Sequence, residues 1–127
     1  MTWRAIRVAG ALLALALMGG EAWRSWGADR PFVFVVDDFV FGLPLLAAAL
    51  VARRPTARAR ALLAAGWAGN VGMLYGSFFK KVVDPAATDA GNWNADVLTG
   101  LVGLAFLVSV LGVAGTLLHP AARGERA

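Results

Sequence analysis

From Val97 to Leu118 the chain carries no charged residue, and a helix of about 20 apolar residues is long enough to cross a hydrocarbon core of about 30 Å. Ala61 to Phe79 is likewise uncharged, and Phe32 to Ala52 is broken only by Asp37 and Asp38. A water-soluble helical bundle needs a polar stripe along each helix. These stretches have no charged one, so the patterning predicts an all-α, polytopic membrane protein with a four-transmembrane-helix bundle. The expected helices run from Ala5 to Trp23, Phe32 to Ala52, Ala61 to Val83 and Val97 to Leu118. At 127 residues they make one domain.

Charge placement gives the expected topology. Arg53, Arg54, Arg58 and Arg60 lie between the second and third segments, and Arg4, Arg7, Arg123 and Arg126 lie at the termini. With four crossings all eight share one side, and Glu125 is the acid that joins them. Glu21, Asp29, Asp37, Asp38, Asp84, Asp89 and Asp96 fall toward the other side. The positive-inside bias therefore places both termini in the cytoplasm, in a cell (inner) membrane. Trp3 stands roughly 30 Å of helix rise from Trp23 and Trp26, the separation of two interfacial belts. The first segment has a competing reading. Arg4 and Arg7, the apolar stretch Val8 to Met18 and the Gly20–Glu21–Ala22 site also fit a secretory signal peptide cleaved after Ala22.

The chain has no cysteine and a single histidine, His119. Disulfides, thiolate zinc and iron–sulfur ligation are excluded, no cofactor is implied, and a metal site is left open. The net charge of +4 sits at the ends of apolar segments, where topology and lipid headgroups account for it, so nucleic acid is not an expected partner. The expected partners are the lipid bilayer and a second copy or another membrane protein.

Helices in lipid pack through small residues. Ala64, Ala68, Gly72 and Gly76 form a ridge on the third segment, as Ala105, Ser109, Gly112 and Thr116 do on the fourth. Both are expected to pack within the bundle, with self-association as the alternative. Asn70, Ser77 and Lys81 share another face of the third segment, serving either as interhelical glue or as the lining of a polar path. The turn-rich loop from Asp84 to Asp96 reads as a solvated connection with Trp93 as an interfacial anchor.

Ionisable groups in a spanning segment are costly and need a reason to be there. Counting up from the arginines at about 1.5 Å per residue puts Glu21, Asp38 and Tyr75 at a similar height, roughly 21–22 Å. Lys80 and Lys81 stand one to two turns higher, within bending reach. Arg24 follows Glu21 at the favourable i,i+3 spacing. The candidate ligand- or ion-binding residues are Asp37, Asp38, Glu21, Lys80, Lys81, Tyr75, Asn70 and Ser77. At least one aspartate is expected to pair with Lys80 or Lys81. Pro44 frees the Val40 carbonyl and adds a kink or hydration point nearby. A second helix starting late, at Phe39, is the alternative that would leave the carboxylates in the headgroup layer. No catalytic motif is present. The function expected is that of an accessory or scaffolding membrane protein with an outward-facing polar cluster. A small oligomeric cation- or proton-coupled transporter or channel is the alternative, and a membrane-embedded acid/base enzyme acting on a lipid is third.

Overall fold

The computed structural model describes residues 1–123 and is all-helical. Arg126 and Glu125, counted above in the charge asymmetry, lie outside the described residues. Four helices run in order: α1 (Trp3–Ser25), α2 (Phe32–Val51), α3 (Ala57–Val83) and α4 (Ala95–Leu118), with a short 3-10 helix at Pro85–Ala87. By length and composition, α1, α2 and α4 are each able to cross a membrane. The longest helix, α3, is not among them, its apolar stretch being diluted by Asn70, Tyr75, Ser77 and its glycines.

Local chemistry sets the boundaries. The Thr2 side chain accepts from Ala5 N at 3.0 Å and opens α1 two residues earlier than expected. Thr56 does the same for α3 through Ala59 N at 3.1 Å, which draws Arg58 and Arg60 out of the expected loop into its first turns. Asn94 caps α4 by accepting from Asp96 N and Val97 N. Pro85 and Pro120 follow the ends of α3 and α4, where the residue before proline leaves the helical region. The helix α2 starts at Phe32 and continues through Pro44 without a break. Asp37 and Asp38 therefore sit in its second turn, and the late start at Phe39 is overturned.

The most extensive helix contacts are α3 with α4 and α1 with α2; α2 packs on α3 less extensively, and α1 on α4 less still. The core gathers Ile6, Ala14, Leu45, Ala49 and Leu63 around Trp67, whose indole is fully buried. Gly112 of α4 lies flat against that indole, and a Cβ there would collide with it. The ridge of Ala105, Ser109, Gly112 and Thr116 is buried as expected. Its two hydroxyls bond back to the carbonyls of Ala105 and Gly112 at 2.9 and 2.7 Å, which removes their demand for an outside partner.

The α3 ridge behaves differently. Ala68, Gly72 and Gly76 are exposed, and a Cβ on either glycine would meet nothing within 4 Å. Periodicity marks a face of a helix but not its neighbour. Here the neighbours of α3 take the face of Leu63, Trp67, Asn70 and Leu74 instead.

At the arginine-rich end the charges close helix termini. Arg7 Nε donates to Ala49 O at 2.8 Å, and Arg60 Nη2 to Leu117 O at 2.6 Å. Trp3 is buried rather than belt-like. Its indole donates to Ala52 O at 2.7 Å and its ring packs 5.2 Å from that of His119. Ala122 N donates to Pro55 O. The start of α1, the α2–α3 connection and the stretch from His119 to Ala122 thus meet at one end of the bundle, and the acidic loops meet at the other. Trp23 and Trp26, at the acidic end, are exposed.

Candidate functional site

The acidic end is built around Glu21, in the last two turns of α1. Its side chain is 2% exposed and accepts from Ser25 Oγ at 2.7 Å, from Arg24 Nη1 at 3.3 Å and from Arg30 Nη1. Arg30, in the α1–α2 connection, has a side chain only 4% exposed and bridges onward to Asp89 through Nε at 2.8 Å. A carboxylate this buried is tolerable because both its oxygens accept charge-assisted hydrogen bonds, Oε1 from Ser25 and Arg30 and Oε2 from Arg24. Burial alone would lower the Arg30 guanidinium, but the hydrogen bonds to Asp89 and Glu21 outweigh it and hold the group above its ordinary value. The same bond from Arg30 holds the half-exposed Asp89 carboxyl below the usual carboxylate range.

The loop from Asp84 to Asp96 is docked, not merely solvated. Asn92 Nδ2 donates to the carbonyls of Trp23 and Trp26 at 2.9 and 2.6 Å, and Asn92 N donates to Arg24 O at 3.1 Å. Trp93 Nε1 reaches Gly20 O at 3.1 Å, and Arg24 donates back to Asp89 O. The loop thereby caps the end of α1, giving the Arg24 carbonyl a donor and adding donors to the carbonyls around it. Gly91 makes the approach possible: its φ is +55°, and a Cβ there would strike the Arg24 carbonyl.

Below this lock, where α1 and α4 splay, lies a half-open cleft of about 590 Å³. Its walls are apolar, from Leu13 and Leu17 on α1 to Leu101 and Ala105 on α4. Its polar end holds Glu21, Asp37, Asp38, Arg24 and Ser77, with Trp93 beside them. Asp38 is half-buried and lies beside Glu21, near enough for the two carboxyls to interact. Asp37 is exposed, and its Oδ1 accepts from the backbone N of Asp38 at 2.9 Å.

Of the residues singled out from sequence, the fold brings Glu21, Asp37, Asp38 and Ser77 together around this cleft. Tyr75 does not join them: it is 57% exposed and stacks with Phe79 and Phe106 on the outside of the bundle. Asn70 is fully buried away from the cleft, donating to Phe41 O at 3.0 Å and Gly66 O at 2.9 Å. It braces α3 against the turn of α2 that contains Pro44, so it serves as glue.

The expected aspartate–lysine ion pair is not formed, although Asp38 approaches Lys81 closely enough for the two charges to interact. Among the described residues the ion pairs are Glu21 with Arg24 and Arg30, and Arg30 with Asp89. Lys81 is buried but bends back on its own helix, donating to Ser77 Oγ at 2.9 Å and Ser77 O at 3.3 Å. Lys80 is exposed and lines a smaller hollow with Arg30 and Asp84. Height along a helix was right, but direction around it was not. Arg30 and Asp89 were missed as site residues. The available signal was that Arg24, Arg30, Lys80 and Lys81 are cations stranded on the acidic side.

No three metal-ligating side chains converge among the described residues. Comparison with protein families, curated proteins and solved structures finds no match to this chain.

Proposed function

We propose that this chain is an integral protein of the cell's inner membrane, crossing it four times with both termini in the cytoplasm, and that it acts as an accessory or scaffolding component. The observation carrying the accessory reading is the internal consumption of the strongest charges. Both oxygens of Glu21 are held by donors, Arg24, Arg30 and Ser25, and Arg30 ties it to Asp89. A carboxylate so occupied is a structural anchor and offers no open position for acid/base work. The topology draws on the gathering of Arg-rich segments at one end and acidic loops at the other. As a span, α3 is supported by its length of 27 residues and its burial between α2 and α4.

Two experiments test this. Cysteine placed at Asp89 reacts with an impermeant maleimide in intact cells, and cysteine at Thr56 does not; the reverse pattern overturns the orientation. Purified protein in vesicles leaves imposed proton and monovalent-cation gradients as stable as in empty vesicles. A protein-dependent leak abolished by Asp37→Asn replaces the accessory reading with that of a cation- or proton-coupled transporter.

A further inference from the structure

Two carboxyls at the polar end of the cleft, those of Asp37 and Asp38, make no ion pair among the described residues, although Arg24 and Lys81 lie near enough to Asp38 to attract it. Glu21 takes Arg24 and Arg30, Arg24 also donates to the Asp89 carbonyl, and Lys81 turns to Ser77. The rest of the cleft is apolar and long. Its α1 wall runs from Leu13 to Arg24, roughly 16 Å at the helical rise. At about 590 Å³ it falls within the roughly 300–1,000 Å³ typical of ligand pockets. Leu101 and Leu104, on its α4 side, are exposed, so the apolar wall is continuous with the outer surface of the bundle.

From this charge complementarity we infer that the cleft between α1 and α4 binds a membrane lipid with a primary ammonium head, its chain along Leu13, Leu17 and Leu101 and its head at Asp37 and Asp38. A long apolar wall ending in unpaired carboxyls matches an amphiphile whose head ends in a cation. Beyond the phosphate that both lipids carry, an ammonium donates up to three charge-assisted hydrogen bonds to such acceptors, where a glycerol brings only neutral hydroxyls. A bare metal ion fits less well, since no three ligating side chains converge among the described residues and the walls are hydrocarbon. The inference rests on the membrane-embedded reading above. Lipid retention is read separately from gradient leak, so either can fail alone.

The test is native mass spectrometry of the full chain released from nanodiscs containing equal phosphatidylethanolamine and phosphatidylglycerol of identical acyl chains. The expected result is a retained lipid with the ethanolamine form favoured about tenfold, the ratio a gain of one charge-assisted bond gives. The Asp37→Asn/Asp38→Asn variant retains lipid but loses the preference, and Asp37→Glu/Asp38→Glu keeps it. Leu101→Trp, at a half-exposed position on the wall, loses the retained lipid while its circular dichroism and elution volume are unchanged. Equal retention of both headgroups by the unaltered chain overturns the inference without recourse to any variant. So does a preference that survives in the asparagine variant, or a lipid-free dimer showing that a second copy covers the cleft.

Discussion

The two halves of this bundle solve the problem of packing helices in opposite ways. Around Trp67, glycine and alanine let backbones close on one large ring, and the helix ends there are sealed by Arg7, Arg60 and Trp3 donating to carbonyls. At the acidic end, α1 and α4 separate, and a docked loop with a chain of charges takes over the closure. Dispersion and shape hold the first half, and directional polar bonds hold the second. The contrast teaches where a ligand fits: the cleft opens where the polar lock substitutes for close packing.

The largest effect is expected in the packed half. Trp67→Ala empties a fully buried ring position and should cost about 3–5 kcal/mol, read by denaturant titration in mild detergent. Glu21→Gln strikes the other half and leaves Arg30 buried without its full charge partner, at a cost of about 3 kcal/mol. If the two variants soften the same segments in hydrogen exchange, the halves are one cooperative unit and the comparison breaks. Gly91→Ala should cost about 1–3 kcal/mol, because a left-handed residue gains a Cβ facing the Arg24 carbonyl. Exchange protection should fall across residues 84–94 and stay unchanged around Trp67.

Acidification gives a smaller effect of known sign. The folded Asp89 carboxyl lies below its unfolded value because of Arg30. Its contribution is therefore present above roughly pH 4 and lost as pH falls through the lower, folded value. With Asp89 half-exposed, the loss should stay within about 1 kcal/mol. Loop protection should be flat from neutrality to mild acid and drop below that, and Asp89→Asn should abolish the step. Smallest of all, Asp37→Asn should alter stability by no more than about 0.5 kcal/mol, since no ion pair is lost. A large destabilisation would return Asp37 to the structural lock and erase the distinction drawn between lock and cleft.

Much of the fold was legible in the sequence. Apolar runs located the helices, and Thr2, Thr56 and Asn94 set starts that run a little ahead of them. The i,i+3 spacing of Glu21 and Arg24 foretold their contact. Height counting also gathered Glu21 and Asp38 correctly, because rise per residue is a fixed property of the helix. Rotation about the helix axis was not legible, because it is set by the neighbours. That is why Tyr75 was placed in the cluster and points out, why the ridge of Ala68, Gly72 and Gly76 is bare, and why Lys81 meets Ser77. The Arg30–Asp89 bridge depends on a loop folding back across the end of α1, and no local pattern announces it.

The same bridge has a consequence for biosynthesis. Arg30 and Asp89 are 59 positions apart. At synthesis rates of about 5–20 residues per second, Arg30 emerges roughly 3–12 seconds before Asp89 exists. During that interval Glu21 already has Arg24, Arg30 and Ser25 within its own hairpin, so the nascent α1–α2 pair is charge-neutralised at its buried carboxylate while it waits. The second hairpin then brings Asn92, Trp93 and Asp89 as a late clasp. Assembly is thereby ordered in time, with Glu21 partnered inside the first hairpin and the second hairpin adding the bonds that close the end of α1.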